Sequence, residues 1–418
     1  MDAIARSLAG PAGTRLGRWL ARGDHLLGGL RPLLGPSPTI ITEVHGAEVE
    51  AARAGFGDGP ATAEAVVVRL RRRGVAVTAA PGGSTVRGRR GLVSACRDRG
   101  RDSVRVLRSA PDLLPELQIG SWFNGGWRTR LVRRVALGAP AAAGWLPARV
   151  AADAAFWAGV RDAATATEWR RLTASSYVVL CYHRIAGAAR PGEERMDVAP
   201  AALRRQLRLL CRLGWRPLTV AEIVAFHRDP GAQLPRRRFV LTADDGFRDA
   251  VTQLAANAAV HPQIFAVTRS VGDRAGWLGD APLAGWDELQ ALCAAGGTVG
   301  SHARRHVRLD EQDDAAIEQE LAGSLADLRA RLAEPAAVLA YPHGGHDARV
   351  RDAARQAGYT LAYTTRQGRN GAGTDRWCLR RVEPKAWDST LSFVWKVLTA
   401  ESPPPRWERR LERRWRGH

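Results

Sequence analysis

Short apolar runs alternate with amphipathic segments between residues 177 and 363. The runs have the length of buried strands, and they lie at 177–181, 239–242, 264–267, 298–300, 338–341 and 360–363. Apolar residues recur at helical spacing between them, which predicts helices at 286–295, 315–332 and 347–357. Strands that alternate with helices predict an α/β fold built on a parallel sheet or barrel.

The first 115 residues show a weaker alternation of the same kind. Strand-like runs at 39–44 and 75–78 flank a helical segment at 61–73, which predicts a smaller N-terminal α/β fragment over residues 1–115. Residues 80–105 are rich in Gly and Arg, and we expect a loop there.

Tryptophans mark the next segment, residues 116–172, which is predicted to be a helical connector. They are Trp122, Trp127, Trp145, Trp157 and Trp169. We expect them to pack on a neighbouring domain, and stacking on a glycan is the alternative. The main domain is predicted at 173–400, followed by a basic tail at 401–418 that begins with three prolines. The tail is expected to be a solvated helix or to contact an anionic membrane surface.

Charge and composition add little to this picture. The formal charge is +20, from 62 Lys and Arg against 42 Asp and Glu, but only Lys385 and Lys396 are lysines. So much arginine among Ala and Gly indicates compositional bias more than a nucleic-acid partner, and no nucleic-acid-binding motif is evident. The cysteines are few and form no pair, and no signal peptide or membrane-spanning run is recognised. We expect a cytoplasmic protein, with peripheral membrane contact as the alternative.

Three polar clusters follow three of the predicted strands. They are Asp244-Asp245-Gly246, the pair His302 and His306, and residues 341–344. Loops after the strands of a barrel converge at one end, so these clusters are expected to meet. A carboxylate with two imidazoles is a ligand set for Zn²⁺ or a similar ion. The spacing of the histidines would place both on one helix face, and Asp244 is the nearest candidate base.

Residues 177–383 resemble the polysaccharide deacetylases, also known as carbohydrate esterase family four or the chitooligosaccharide-deacetylase homology group. The resemblance rests on four ordered motifs: LCYHR at 180–184, LTADDGF at 241–247, GSHARRH at 300–306 and AYPHG at 340–344. It implies a deformed (β/α) barrel that carries a metal-dependent hydrolase.

The resemblance also implies a role for each site residue. The metal ligands would be Asp245, His302 and His306. Asp244 would be the general base, and the backbone N–H of His343 would help the metal to stabilise the oxyanion. The late histidine of many members is missing, so His183 is the candidate general acid, with a structural histidine as the alternative. Zn²⁺ is the default ion, and Co²⁺, Ni²⁺ or Mn²⁺ would also suit the ligands.

The motifs depart from the family pattern at Ala243, Ala303, Ala340 and His343. The replaced groups position the base and shape the sugar pocket, so the departures bear on substrate and rate more than on metal binding. A weaker resemblance links residues 33–46 to the C-terminal end of FkbM-type methyltransferases. No Gly-rich cofactor loop precedes them, so a remnant or a structural appendage is expected there.

The sequence thus predicts a metal-dependent enzyme that removes N-acetyl groups from sugars or polysaccharide. The first alternative is an amide hydrolase for a small or lipid-linked substrate, which the basic charge and the missing export signal motivate. The second is a catalytically silent glycan-binding protein, which the altered flanking residues and the missing late histidine motivate.

Overall fold

The computed structural model describes residues 65, 68–69, 88–139, 146–187 and 196–416. The chain divides at Ala174 into two units. The first ends there and also includes Gly371–Thr374, and the second holds the remainder. The strands predicted at 39–44 and 75–78 lie outside the described residues, and so does the methyltransferase-like segment.

The described part of the first unit is helical. Its helices are α1 (Gly88–Ser109), α2 (Trp127–Gly138), α3 (Ala148–Ala163) and α4 (Ala166–Thr173), with 3₁₀ helices at Pro111–Leu113 and Gln118–Phe123. The Trp122 ring packs edge-on against the rings of Trp157 and Trp169, with centroids 4.8 and 5.8 Å apart. These three tryptophans therefore pack on one another inside their own unit, whereas the sequence predicted packing on a neighbouring domain.

Helix α1 occupies most of the segment that was expected to be a loop, so that expectation is wrong from residue 88 onward. The glycines serve helix packing there. A Cβ on Gly100 would collide with the carbonyl oxygen of Phe156 in α3, and one on Gly159 would collide with the carbonyl oxygen of Arg97 in α1. The helices approach so closely that only glycine fits at either position. A Gly-rich sequence is therefore compatible with closely packed helices as well as with a loop, and composition alone does not distinguish the two.

We expect Gly159→Ala to destabilise the first unit by about 2–3 kcal/mol, because the helices must separate to admit the methyl group. Gly138→Ala is the matched control, since a Cβ on this exposed residue meets no atom within 4 Å. Helix propensity predicts a gain of about 0.5–1 kcal/mol for the control. Urea denaturation, with hydrogen exchange of the α1 and α3 amides, measures both changes. Equal stability of the two variants would contradict the packing.

An eight-stranded sheet forms the centre of the second unit, in the order β10-β1-β3-β4-β7-β8-β9, with β2 paired to β3. Its neighbours from β1 to β9 pair in parallel. The strands are β1 Ser176–Tyr182, β2 Arg216–Pro217, β3 Arg238–Ala243, β4 Gln263–Ala266, β7 Thr298–Ser301, β8 Val338–Ala340, β9 Leu361–Tyr363 and β10 Asn370–Gly371. A separate antiparallel pair joins β5 Arg274–Ala275 to β6 Ala281–Pro282.

Helices alternate with these strands. They are α5 Pro200–Arg212, α6 Val220–Arg228, α7 Arg248–Ala255, α8 Trp286–Ala294, α9 Asp314–Arg331, α10 Ala348–Ala357, α11 Thr390–Thr399 and α12 Pro405–Arg416. Short 3₁₀ helices lie at Ala258–Val260, Thr268–Ser270, Leu309–Glu311 and Pro342–Gly344.

The predicted helices α8, α9 and α10 are confirmed to within a residue at each end. Aspartate caps explain the sharp starts of two of them. Asp313 accepts a hydrogen bond from the backbone of Ala316, and Asp347 accepts one from Val350. No described helix has the length and apolar character needed to cross a bilayer.

The irregular segment 379–382 closes the sheet on itself. Leu379 bridges to Tyr363 at the end of β9, and Val382 bridges to Leu180 in β1. The Cys181 N–H donates to the Val382 carbonyl at 3.0 Å, which holds the segment against β1. The predicted deformed (β/α) barrel is confirmed, with these bridges in place of a regular strand between β9 and β1.

Candidate metal centre

Asp244 and Asp245 directly follow the last residue of β3, and their backbone conformations differ. The Asp244 N–H still donates to the Tyr182 carbonyl at 3.0 Å, as if the strand continued. Asp245 then adopts a left-handed backbone with φ of 69°, and Gly246 follows at 80°. The strand conformation therefore ends between the two aspartates. In a continuous strand the two carboxylates would only alternate between opposite faces of the sheet, whereas here the turn sets the direction of Asp245.

His302 and His306 lie in the loop after β7, and the residues between them are not helical. The expectation that their spacing reflects one helix face is therefore wrong. Ala303 has a left-handed backbone, φ 61°, which turns the chain directly after His302. The two imidazoles reach the same point through this turn and not through helical periodicity.

The two imidazoles converge on one carboxylate oxygen. The Nε2 atoms of His302 and His306 lie 3.5 and 3.2 Å from Asp245 Oδ1. One donor atom of each of these three residues lies within 4.8 Å of the other two. Asp245 Oδ1 is buried and makes no hydrogen bond to a described residue. An orphaned carboxylate oxygen facing two ring nitrogens is the arrangement that a cation would complete.

The protonation of His302 also suits a metal ligand. Its Nδ1 lies 2.7 Å from the Ala340 carbonyl oxygen, which can only accept, so Nδ1 carries the proton and Nε2 presents a lone pair. Burial lowers the pKa of His302 to about 4, in spite of the raising effect of Asp244 and Asp245. The imidazole is therefore neutral at pH 7, as metal binding requires. Burial, the largest effect, would raise the pKa of Asp245, but the proximity of His306 and His302 lowers it on balance.

Asp244 is held by a residue whose role the sequence analysis missed. Both of its carboxylate oxygens accept hydrogen bonds from Arg381, at 2.6 and 2.7 Å, and both side chains are buried. Burial, the largest single effect, would raise the pKa of Asp244, but the charge and hydrogen bonds of Arg381, together with the nearby His302 and His183, hold the pKa well below its usual range. Arg381 Nε also donates to the Thr364 carbonyl at 2.9 Å, which fixes the guanidinium plane.

His183 lies on the other side of Asp244, just after β1. Its Nδ1 is 3.7 Å from a carboxylate oxygen of Glu383, and both side chains are about one-fifth exposed. Cys181, His183 and Asp244 also form a compact cluster of donor atoms. Because Arg381 occupies both oxygens of Asp244, and because burial raises the pKa of the Cys181 thiol well above its usual value, this cluster does not fit a cation.

Two rings flank His306. Trp277, from the turn between β5 and β6, stacks on it at 4.7 Å between centroids and 28° between planes. His343 lies on the turn after β8, with φ of 56°, and its ring centroid is 4.3 Å from that of His306. Burial, and then the nearby His306, lower the pKa of His343. Trp277 was not predicted, since no periodicity or motif distinguishes a lone tryptophan in a loop.

Strained backbone is concentrated at this site. Asp245, Ala303 and His343 all have positive φ without being glycine, and each follows a strand that ends at the cluster. Such conformations cost about 1–3 kcal/mol each and persist only where the surroundings impose them. The site residues are therefore positioned by turns that the barrel holds in place.

Comparison with known proteins places these residues in a family. Residues 231–362 match the family model described as polysaccharide deacetylase. The match includes both aspartates, both histidines and the turn at His343. Residues 231–362 are thus similar to the polysaccharide deacetylases, as the resemblance in the sequence implied.

Solved structures of several deacetylases are similar to this chain. The Streptococcus pyogenes deacetylase PplD in complex with acetate is 19% identical, with a TM-score of 0.47, over 54% of this chain and 98% of that one. IcaB from Ammonifex degensii is 22% identical, with a TM-score of 0.46, over 55% of this chain and 98% of that one. A comparison with curated proteins gave no match.

We expect Arg381→Gln to lower the free energy of unfolding by about 3–5 kcal/mol at pH 7, because Asp244 is left charged and unpaired in the interior. In the parent chain the low pKa of Asp244 contributes stability that is present above a pH of about 4 and is lost as the pH falls further. In the variant, the lowering effect of Arg381 is gone and the pKa of Asp244 rises, so protonation relieves the penalty and the difference in stability shrinks between pH 7 and pH 4.

Urea denaturation across this pH range, in the presence of a chelator, measures the difference between Arg381→Gln and the parent. The control is the double variant Asp244→Asn with Arg381→Gln, which removes both charges and should recover much of the loss. A double variant no more stable than the single one would contradict the assignment.

Proposed function

We propose that this protein is a zinc-dependent N-deacetylase that hydrolyses the acetamido group of an N-acetylated carbohydrate. The observation that carries the proposal is the convergence of two imidazole Nε2 atoms on the unpaired oxygen of Asp245, next to the separately charged Asp244. This convergence supports a cation site next to a carboxylate base, at the end of the barrel where the strand-end loops meet.

The ligand set favours Zn²⁺. Two neutral imidazoles and one carboxylate leave room for water and substrate, and Co²⁺, Ni²⁺ or Mn²⁺ could use the same donors. When bound, such an ion supplies Lewis acidity, which lowers the pKa of a coordinated water to about 7 and favours negative charge on a carbonyl oxygen. The ligands would be Asp245, His302 and His306.

Asp244 is assigned as the general base that takes a proton from the attacking water. Arg381 keeps it ionised and holds its plane, so that it accepts the proton without rotating away. The water oxygen then bonds to the acetamido carbon while the carbonyl oxygen becomes negative. The backbone N–H of His343 is assigned to donate to that oxygen, because the tight turn after β8 places this residue beside His306.

His183 is assigned as the general acid. Cleavage of the carbon–nitrogen bond leaves acetate and a sugar amine, and the amine nitrogen must gain a proton as the bond breaks. His183 lies beside Asp244 and is about one-fifth exposed, so it can exchange protons with solvent between turnovers. The Glu383 carboxylate, 3.7 Å from Nδ1, supports this role because it can orient the ring.

We expect Asp245→Asn to abolish tight binding of Zn²⁺ and to lower acetate release by at least a hundredfold, because a neutral amide replaces the only charged ligand. Asp287→Asn removes the same charge from an exposed carboxylate at the start of α8 that is not among the proposed ligands, and it should change neither quantity. Metal analysis of the purified protein and acetate release from N-acetylated oligosaccharides measure the two effects. Full metal content in Asp245→Asn would refute the proposed ligand set.

The role of His183 can be tested by comparing substrates whose leaving groups differ in their need for a proton. We expect His183→Gln to lower kcat for an N-acetylated sugar by about 10²–10⁴-fold, because the departing amine lacks a proton. Cleavage of an activated aryl acetate should change less than threefold, because an aryl oxide leaves without protonation. Asp244→Asn, which removes the proposed base, should lower kcat for both substrates. Equal losses on amide and ester in His183→Gln would show that this residue is structural.

A further inference from the structure

Exposed leucines and unopposed arginines occupy one face of the second unit, formed by α5, α11 and α12. In the described part of this unit, the exposed large aliphatic side chains are Leu213, Leu391 and Leu398, at 40%, 73% and 59% exposure. Leu213 follows α5, and the other two lie on α11. Their exposure costs free energy in water and is not explained by the deacetylase site.

The leucines form a continuous surface. Leu391, Trp395 and Leu398 share one face of α11 by their spacing of four and three residues. Leu398 and Leu213 line the same groove between α5 and α11, together with Leu209 and Val394. We call these exposed or half-exposed side chains the leucine face. It lies beside α12, because Trp395 packs edge-on against Trp407 at 5.8 Å between centroids.

Arginines border the leucine face on the α5 side. Helix α5 has no acidic residue, and its exposed Arg205 lies one turn before Leu209 and beside Phe393 of α11. Arg208 and Arg212 are also exposed and continue the basic surface around the helix. Two further arginines hold the backbone at the leucines themselves. Arg237 donates to the Leu213 carbonyl at 2.7 Å, and Arg369 donates to the Leu398 carbonyl at 3.2 Å. Cations thus stand directly next to the apolar side chains.

Helix α12 borders the other side and belongs to the predicted basic tail. Trp407 and Trp415 pack on Trp395 and Trp387, and Lys385 bonds Glu408 at 2.5 Å. The face of α12 that carries the tryptophans therefore packs on the rest of the unit, and the arginines of α12 are exposed. The exposed arginines are Arg406, Arg409, Arg410, Arg413, Arg414 and Arg416. Both acidic residues of α12 form salt bridges, Glu408 with Lys385 and Glu412 with Arg416.

We propose that this face docks the protein on an anionic phospholipid bilayer, with the leucines inserted at the level of the headgroups and the arginines on the lipid phosphates. Charge complementarity and apolar exposure occur together here, and a bilayer satisfies both. A nucleic acid would use the arginines and would gain nothing from the leucines. The proposal concerns a surface built by α5, α11 and α12, and it does not depend on the assignment of the metal site.

The test is co-sedimentation of the full chain with phosphatidylcholine vesicles that contain either no phosphatidylglycerol or about one-third of it. We expect at least tenfold stronger partitioning into the anionic vesicles, and weaker partitioning at high salt. The triple variant Arg205→Gln, Arg208→Gln and Arg212→Gln should bind about a hundredfold more weakly, since each arginine at an anionic surface contributes roughly a fivefold factor. Leu391→Gln with Leu398→Gln should weaken binding by at least about tenfold.

The matched control is Arg248→Gln, Arg329→Gln and Arg331→Gln, which removes the same charge from exposed positions on α7 and α9. It should bind vesicles like the parent, and all variants should retain their circular dichroism and their acetate release from a soluble substrate. Equal binding to neutral and anionic vesicles, no binding to either, or an equal loss in the control would overturn the proposal. Full binding by the leucine variant would also overturn it, in favour of a purely electrostatic partner such as RNA.

Discussion

The buried ion pair between Asp244 and Arg381 links the closure of the barrel to its chemistry. Asp244 directly follows β3 in the interior, where an unpaired carboxylate would be protonated or destabilising. Arg381 comes from the segment that bridges β9 to β1. The same backbone that completes the sheet therefore delivers the charge that keeps the carboxylate ionised. Removing either partner is expected to affect both fold and function.

Adjacent aspartates do different work because their backbones differ. Asp244 continues the strand and faces the arginine, while Asp245 turns into a left-handed conformation and faces the histidines. Each carboxylate keeps a low pKa for a different reason, one through a guanidinium and the other through the two imidazoles. Two adjacent carboxylates can thus both stay ionised without sharing a proton.

The sequence predicted the elements that carry a periodic apolar pattern and the polar clusters that directly follow strands. Helices such as α9 carry a long apolar periodicity and an aspartate cap, so their bounds could be predicted closely. The clusters at Asp245 and His302 were placed correctly at strand ends. The spacing of the histidines was explained wrongly, because a left-handed Ala303 gives no signal in composition or period.

Other features depend on contacts between distant residues, and no local pattern encodes them. Arg381 is 137 residues from Asp244 and lies in an irregular segment, so nothing but the fold brings the two together. Gly100 and Gly159 belong to closely packed helices, although their neighbourhood has the composition of a loop. The leucine face likewise becomes visible only when three helices are placed side by side.

The closing bridges at 379–382 bear on where this enzyme begins and ends as a folding unit. The family match covers residues 231–362, which omits β1 at one end and the segment with Arg381 at the other. A recombinant fragment cut at those limits would retain every matched ligand yet leave the barrel open, with Asp244 lacking its counter-ion. The smallest autonomous piece must therefore extend from Ser176 at least through Val382.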